Sequence, residues 1–363
     1  MKTELELNEM ILDITNQIRE NCPELLAYLD EMPLTVPYNE NPEMVNSTLT
    51  SYYNSLLILL NENENSSSHT TLHEKVEVVA IPEIKTMELD SSYQNLVVEI
   101  NNFILAYNDV GIGTIPIIFL HGFPFDKSMW KSQLDALKST NRVIAVDIRG
   151  FGQSKDEKTQ LSIDLFSNDL VAFMDKLKID KAIICGLSMG GYVALNTIKK
   201  FSERFEALIL CDTQCIADTP EIKENRYKTI EQIKDSNANE FNEKFVKSVF
   251  HPNSLLTKME IVQHLRSIVF SNSKEIIIAG LTALAERIET CKIVNNIQIP
   301  TLIICGKEDQ LTPLEQSKYM HENIKKSVLK IIDNAGHVSN LEQPELFNKC
   351  ITDFLYSINY KSN

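Results

Sequence analysis

The stretch Ala182-Ile-Ile-Cys-Gly-Leu-Ser-Met-Gly-Gly-Tyr-Val-Ala-Leu195 restricts this chain more than any other. An apolar run, a glycine-flanked serine and a second apolar run read as a buried strand, a very tight turn and a helix. Gly186-x-Ser188-x-Gly190 has the spacing of a nucleophile elbow, in which a strained serine backbone lifts the hydroxyl clear of the sheet. The glycines are needed because strand and helix backbones nearly touch there, and a Cβ would collide. Gly191 extends the small-residue patch. The pentapeptide alone also fits an ordinary glycine-rich turn, so the surrounding chain has to decide between the two.

The surrounding chain alternates. Residues 115–120, 143–146, 182–187, 207–211, 301–305 and 328–332 read as strands, and 129–137, 163–177 and the run after Ser188 as helices. Pro344 opens a last helix ending near Tyr356. Continuous apolar strands are those buried on both faces, and strand–helix alternation specifies a doubly wound, mostly parallel sheet of the α/β class. Ahead of it, 96–100 and 103–107 read as a hairpin followed by a turn at 108–111. Gly111-Ile-Gly113 is half of a dinucleotide fingerprint, without its third glycine or its helix. Between about 213 and 295 no strand interrupts the pattern. Helical segments near 222–234, 241–250, 255–269 and 274–288 predict a helical lid inserted between two sheet strands, and long inserts of this kind tend to be functional.

Upstream, residues 1–60 read as a small helical domain. Leu7, Met10, Ile11, Ile14 and Ile18 recur at helical spacing, Pro23 suits a helix start, and Asn41-Pro42 opens a third helix. Residues 61–91 read as a linker, beginning with a polar, low-complexity run at 61–71. The α/β body then occupies 92–363. The helical segment is expected to be a structural or dimerising appendage, with a protein-partner role as the other reading.

Charge narrows the partners. The formal net charge is −15, of which residues 1–75 carry −10, so nucleic acid is not expected as a ligand. The start of the chain is acidic and lacks the apolar segment of a signal peptide, and runs such as 56–60 are too short to span a bilayer. The seven cysteines show no paired spacing, and Cys185, Cys211 and Cys305 end strand-like runs as small buried hydrophobes. A reduced, cytoplasmic protein is therefore expected. No C-x-x-C spacing suggests zinc, and His69 and His73, four residues apart in or beside the polar run, read as incidental.

From about Leu96 to Tyr356 the chain resembles the α/β-hydrolase fold superfamily, on the haloperoxidase (perhydrolase) and 3-oxoadipate enol-lactonase side. The motifs are His121-Gly-Phe-Pro124 with Met129-Trp130, Asp147-Ile-Arg-Gly-Phe-Gly152-Gln-Ser154, Gly186-Leu-Ser-Met-Gly-Gly191 and Gly336-His337. The resemblance implies Ser188 as nucleophile, His337 as the base that takes its proton, and an acid that orients the imidazole. Asp309 stands at the family's acid position; Asp212, which also ends a strand, is the rival. Family placement gives the backbone N–H groups of Phe123 and Met189 as the oxyanion hole. Met129 and Trp130 are candidate walls of an acyl pocket, with plain core as the other reading of Trp130.

Asp147, Arg149 and His121 read as organisers of their own loops, and His251 and His264 as lid residues. This chemistry requires no metal, flavin or nicotinamide. The expected reaction is hydrolysis of a small to medium carboxylic ester or lactone through an acyl-enzyme. Two other readings stay open: the same residues used for perhydrolysis, acyl transfer or C–C bond hydrolysis, and a partner-binding protein whose hydrolase body is a scaffold.

Overall fold

A computed structural model describes residues 95–156 and 160–359, with residues 10, 11, 13–15, 17 and 18. Contacts divide the chain into two compact units, Met1–Thr86 and Met87–Asn363. In the first, the described residues are helical, and Ile14 and Ile18 are buried. The rest of the expected helical domain and all of the expected linker lie outside the described residues.

The second unit is built on one eight-stranded sheet, in the order β1-β2-β4-β3-β5-β6-β7-β8. The strands are β1 (Leu96–Ile100), β2 (Phe103–Val110), β3 (Ile117–Leu120), β4 (Val143–Val146), β5 (Ala182–Leu187), β6 (Phe205–Cys211), β7 (Thr301–Gly306) and β8 (Ser327–Ile332). β1–β2 and β2–β4 pair antiparallel, and every other pair is parallel. The turn expected at 108–111 begins later than expected. Asn108, Asp109 and Val110 continue β2, because Ala145, Ile144 and Val143 of β4 offer ladder partners.

The continuous apolar strands are explained by what lies on both sides. In β3, Ile118 and Leu120 join the core beneath α2 (Ile163–Lys176) and α3 (Met189–Lys200). Ile117 and Phe119 join the opposite core with α1 (Lys131–Leu137) and α12 (Pro344–Asn359). All four side chains are buried, each contributing about 1.5–3 kcal/mol of apolar transfer. β8 is the edge strand, and Val328 and Ile331 on it are half exposed.

The insertion after β6 carries six helices rather than four. They are α4 (Pro220–Asp235), α5 (Asn239–Val249), α6 (Pro252–Thr257), α7 (Met259–Phe270), α8 (Lys274–Ala285) and α9 (Cys291–Val294). The segment expected at 255–269 is split because Pro252 starts α6 early and Lys258 leaves helical geometry, at φ −121° and ψ 47°. After β7, α10 (Leu314–Asn323) leads to β8, and α11 (Ser339–Glu342) precedes α12.

One cysteine expectation is corrected. Cys215 and Cys291, 76 residues apart in sequence, form a disulfide that joins the two roots of the lid. Their distance in sequence hid the pair, since it is the return of the chain to β7 that brings them together. Cys185, Cys211 and Cys305 are buried free thiols, as their strand-end positions predict. Among the described residues no single helix is long and apolar enough to cross a membrane.

Candidate active site

The sheet delivers the candidate residues to one edge. Ser188, Asp212, Asp309 and His337 follow the carboxyl ends of β5, β6, β7 and β8, where open α/β sheets form their ligand crevice. The turn at Ser188 is as tight as its glycines predict. Ser188 sits at φ 53° and ψ −114°, a strained conformation for a residue with a side chain. A Cβ on Gly186 would stand 2.3 Å from the Gly190 carbonyl oxygen, and one on Gly190 would stand 2.2 Å from that of Leu120. Ser188 N–H donates to the Cys211 carbonyl at 3.0 Å, and Thr213 Oγ1 donates to the Ser188 carbonyl at 2.8 Å.

His337 bridges serine and acid. Its Nε2 lies 2.8 Å from Ser188 Oγ, and its Nδ1 lies 2.8 Å from Asp309 Oδ2. The rest of the Asp309 carboxylate is filled by donors. Oδ1 accepts from the N–H groups of Leu311 and Thr312, and Oδ2 from Thr312 Oγ1. A carboxylate so surrounded stays an acceptor, which puts the imidazole proton on Nδ1 and leaves the Nε2 lone pair facing the serine hydroxyl.

The two rival acids differ in their electrostatics. Burial pulls the His337 pKa down, but the charge of Asp309 and its hydrogen bond outweigh burial and raise it above the ordinary imidazole value. Burial acts to raise Asp309, and the facing imidazole with the Thr312 donors more than reverses this, holding it below the usual carboxylate range. Asp212 goes the other way. Burial, then the charge of Asp309, push it up to about 8, against the partial opposition of His337, Ser339 and Gly306. Its oxygens are bonded to Gly306 N–H at 2.7 Å and Ser339 Oγ at 2.5 Å, and its protonated form cannot balance an imidazolium at neutral pH.

Met189 is the first residue of α3, so its N–H has no intrahelical acceptor. Gly122, one residue before Phe123, abuts Ser188: a Cβ there would be 3.2 Å from the serine Cβ. Above them opens a cavity of about 460 Å³ that reaches Ser188 and His337. Phe123, Phe241, Phe245 and Leu281 give it apolar walls, while Arg226 and Gln232 line it with polar groups. The ring of Phe123 packs against Phe151, Phe241 and Phe245, which ties the loop after β3 to the lid.

Met129 and Trp130 do not line this cavity. Both are fully buried in the core on the other side of the sheet, with Trp130 between Phe119 and Phe347. The short 3-10 turn at Lys127–Trp130 points them inward, which corrects the acyl-wall reading. Asp147 accepts from the N–H groups of Lys127 and Gln153 and pairs with Lys127 Nζ, and Arg149 is clamped by Asp169 and Asp156. His121 Nε2 accepts from Ile148 N–H at 2.9 Å. These three residues shape loops.

Among the described residues one buried cluster has cation-binding residue types: Asp212, Cys305 and Asp309. The carboxylates are already engaged as above, and burial keeps the Cys305 thiol protonated. Sequence reasoning missed Thr312, Phe241 and Phe245. Thr312 had a local signal, since Asp309-x-x-Thr312 is the spacing of a side chain that closes its own turn. The lid phenylalanines had none, because they are indistinguishable from core residues at helical spacing.

A mostly parallel sheet with a strained serine after β5, an acid after β7 and a histidine after β8, all at one edge, has the arrangement of an α/β hydrolase. The chain belongs to that family: the alpha/beta hydrolase fold matches residues 115–251, and the protein is an enzyme of the hydrolase class. Among its relatives, 3-oxoadipate enol-lactonase 1 of Acinetobacter baylyi is 31% identical over 244 residues, which are 67% of this chain and 89% of that protein. A thermophilic esterase from Thermogutta terrifontis is similar in structure, with TM-score 0.69 and 31% identity over 73% of this chain and 99% of the esterase. A bromoperoxidase from Bacillus anthracis aligns with TM-score 0.66 and 25% identity, over 72% and 100% of the two chains.

Proposed function

We propose that this protein hydrolyses a small to medium carboxylic ester or lactone through an acyl-enzyme on Ser188. The observation that carries the reading is the line Ser188 Oγ–His337 Nε2, His337 Nδ1–Asp309 Oδ2, each gap 2.8 Å, at the floor of a cavity with both apolar and polar walls. Ser188 Oγ attacks the carbonyl carbon as its proton passes to His337 Nε2, and Asp309 balances the imidazolium. The tetrahedral oxygen takes hydrogen bonds from the N–H groups of Phe123 and Met189, each such donor being worth roughly 10²–10³ in rate. Collapse expels the alkoxide, which leaves with the proton from His337. A water then repeats the sequence on the acyl-enzyme, and the acid is released. In a lactone the alcohol and the acid are parts of one product.

The enol-lactonase and esterase relatives favour this bond class. The likeness to a bromoperoxidase supports a second use of the same acyl-enzyme, with hydrogen peroxide as acceptor in place of water and a peracid as product. The deciding assay uses purified protein on p-nitrophenyl esters of graded chain length and on simple γ-lactones, with Ser188→Ala as control. Turnover that falls at least 10³-fold in the variant is expected. Equal, slow rates for both proteins on every substrate would overturn the proposal.

A further inference from the structure

His337 stands on the loop after β8, and β8 is the edge of the sheet. On its outer side the loop has no strand to hold it, yet its imidazole must keep two 2.8 Å contacts. The lid takes the place of the missing neighbour. His337 N–H donates to the carbonyl of Val249, the last residue of α5, at 2.8 Å. A Cβ on Gly336 would meet Val249 O at 2.8 Å, His251 N at 2.9 Å and Phe250 C at 3.0 Å, so the two backbones lie in direct contact.

Glu342 closes this contact. Its side chain is fully buried although it lines no part of the cavity. Burying a carboxylate is costly unless strong donors meet it, and here they come from two distant segments. Oε1 accepts from Gly336 N–H at 2.6 Å, on the histidine loop, and Oε2 accepts from His251 N–H at 2.8 Å, in the lid. The lid also returns a bond, from Lys258 Nζ to the Glu342 carbonyl. The carboxylate thus spans the seam between base and lid with one oxygen on each side.

We propose that Glu342 is a positioning residue that fixes His337 against the lid, so that the serine is activated only while the lid segment 249–251 is seated. The inference rests on the reading of Ser188 and His337 as nucleophile and base. It assigns the lid a share in aligning the base in addition to enclosing substrate.

The test compares Glu342→Gln with wild type and Ser188→Ala on one p-nitrophenyl ester. An amide keeps the shape but offers one acceptor, and it turns an N–H₂ toward the other N–H. The expected result is a fall in kcat of tenfold or more with KM changed less than twofold. The low-field proton resonance of His337 Nδ1–H should shift or broaden with it, which a purely stabilising contact would not cause. Glu342→Asp, one methylene too short to reach both segments, should behave similarly.

Wild-type kcat and an unmoved resonance in folded Glu342→Gln would overturn the inference while leaving the reaction intact. Full activity in Ser188→Ala would overturn both. Should the Glu342 variants fail to fold, hydrogen exchange on the wild type decides. The amides of Gly336, His337 and His251 should open together, and exchange of His251 at least 100-fold faster than Gly336 refutes the coupling.

Discussion

Replacing Asp309 by asparagine is expected to stop catalysis while leaving the structure almost unchanged, and the geometry says why. Oδ1 accepts two backbone N–H groups, from Leu311 and Thr312, so an asparagine keeps its oxygen there. Its N–H₂ must then occupy the Oδ2 position, 2.8 Å from His337 Nδ1. A donor at that position requires Nδ1 to be the acceptor, which moves the imidazole proton to Nε2. Nε2–H would face Ser188 Oγ and could not take its proton. A tautomer inversion of this kind costs about 10⁴-fold in kcat, or about 5.5 kcal/mol of transition-state stabilisation.

The control is Asp212→Asn. Burial and the charge of Asp309 push Asp212 up to about 8, and an asparagine there can turn its oxygen to Gly306 N–H and its N–H₂ to Ser339 Oγ, so activity should stay within about threefold. The assay is steady-state ester hydrolysis, with circular dichroism to confirm folding. A loss below tenfold in folded Asp309→Asn, or a larger loss in Asp212→Asn, would refute the assignment of the acid.

Four other outcomes follow from the same structure. The raised pKa of His337 places the acid limb of kcat/KM above the ordinary imidazole value of 6.5, because the base works only when neutral and activity falls as pH drops through its pKa; a limb at or below that value would contradict the His337–Asp309 pairing. The same shift adds stability below the unfolded imidazole pKa and loses it as pH rises through the folded one, whereas the lowered Asp309 adds stability that is lost as pH falls through its folded pKa. Reducing Cys215–Cys291, or changing both to serine, frees a 76-residue span and should cost about 2–4 kcal/mol in denaturant unfolding; an unchanged midpoint would argue against a formed disulfide. Trp130→Ala should cost about 3–5 kcal/mol of stability and leave KM for short esters unchanged, since the indole packs on Phe119 and Phe347 away from the cavity; a selective rise in KM in folded protein would return Trp130 to the pocket.

What could be read from the sequence was whatever the backbone enforces locally. Ser188 was legible because only glycine fits where Gly186 and Gly190 meet neighbouring backbones, and these clashes occur within a few residues of the turn or at the strand beside it. The sheet was legible because strands buried on both faces carry uninterrupted apolar runs. His337 was legible as a histidine on a glycine-containing loop after a late strand.

The tertiary structure decided everything that depends on which distant groups meet and how much water reaches them. Asp212 and Asp309 both end strands, and sequence alone cannot separate them. In the fold they differ: Asp212 is buried beside another acid, while Asp309 faces the imidazole, which is what favours Asp309 in the proposed mechanism. Trp130 is assigned to core by the side of the sheet its turn faces, and Cys215 finds Cys291 because the lid begins and ends at adjacent strands. Glu342 had no signal in sequence, because its two partners, Gly336 and His251, come together only when the lid packs against the loop at the sheet's edge.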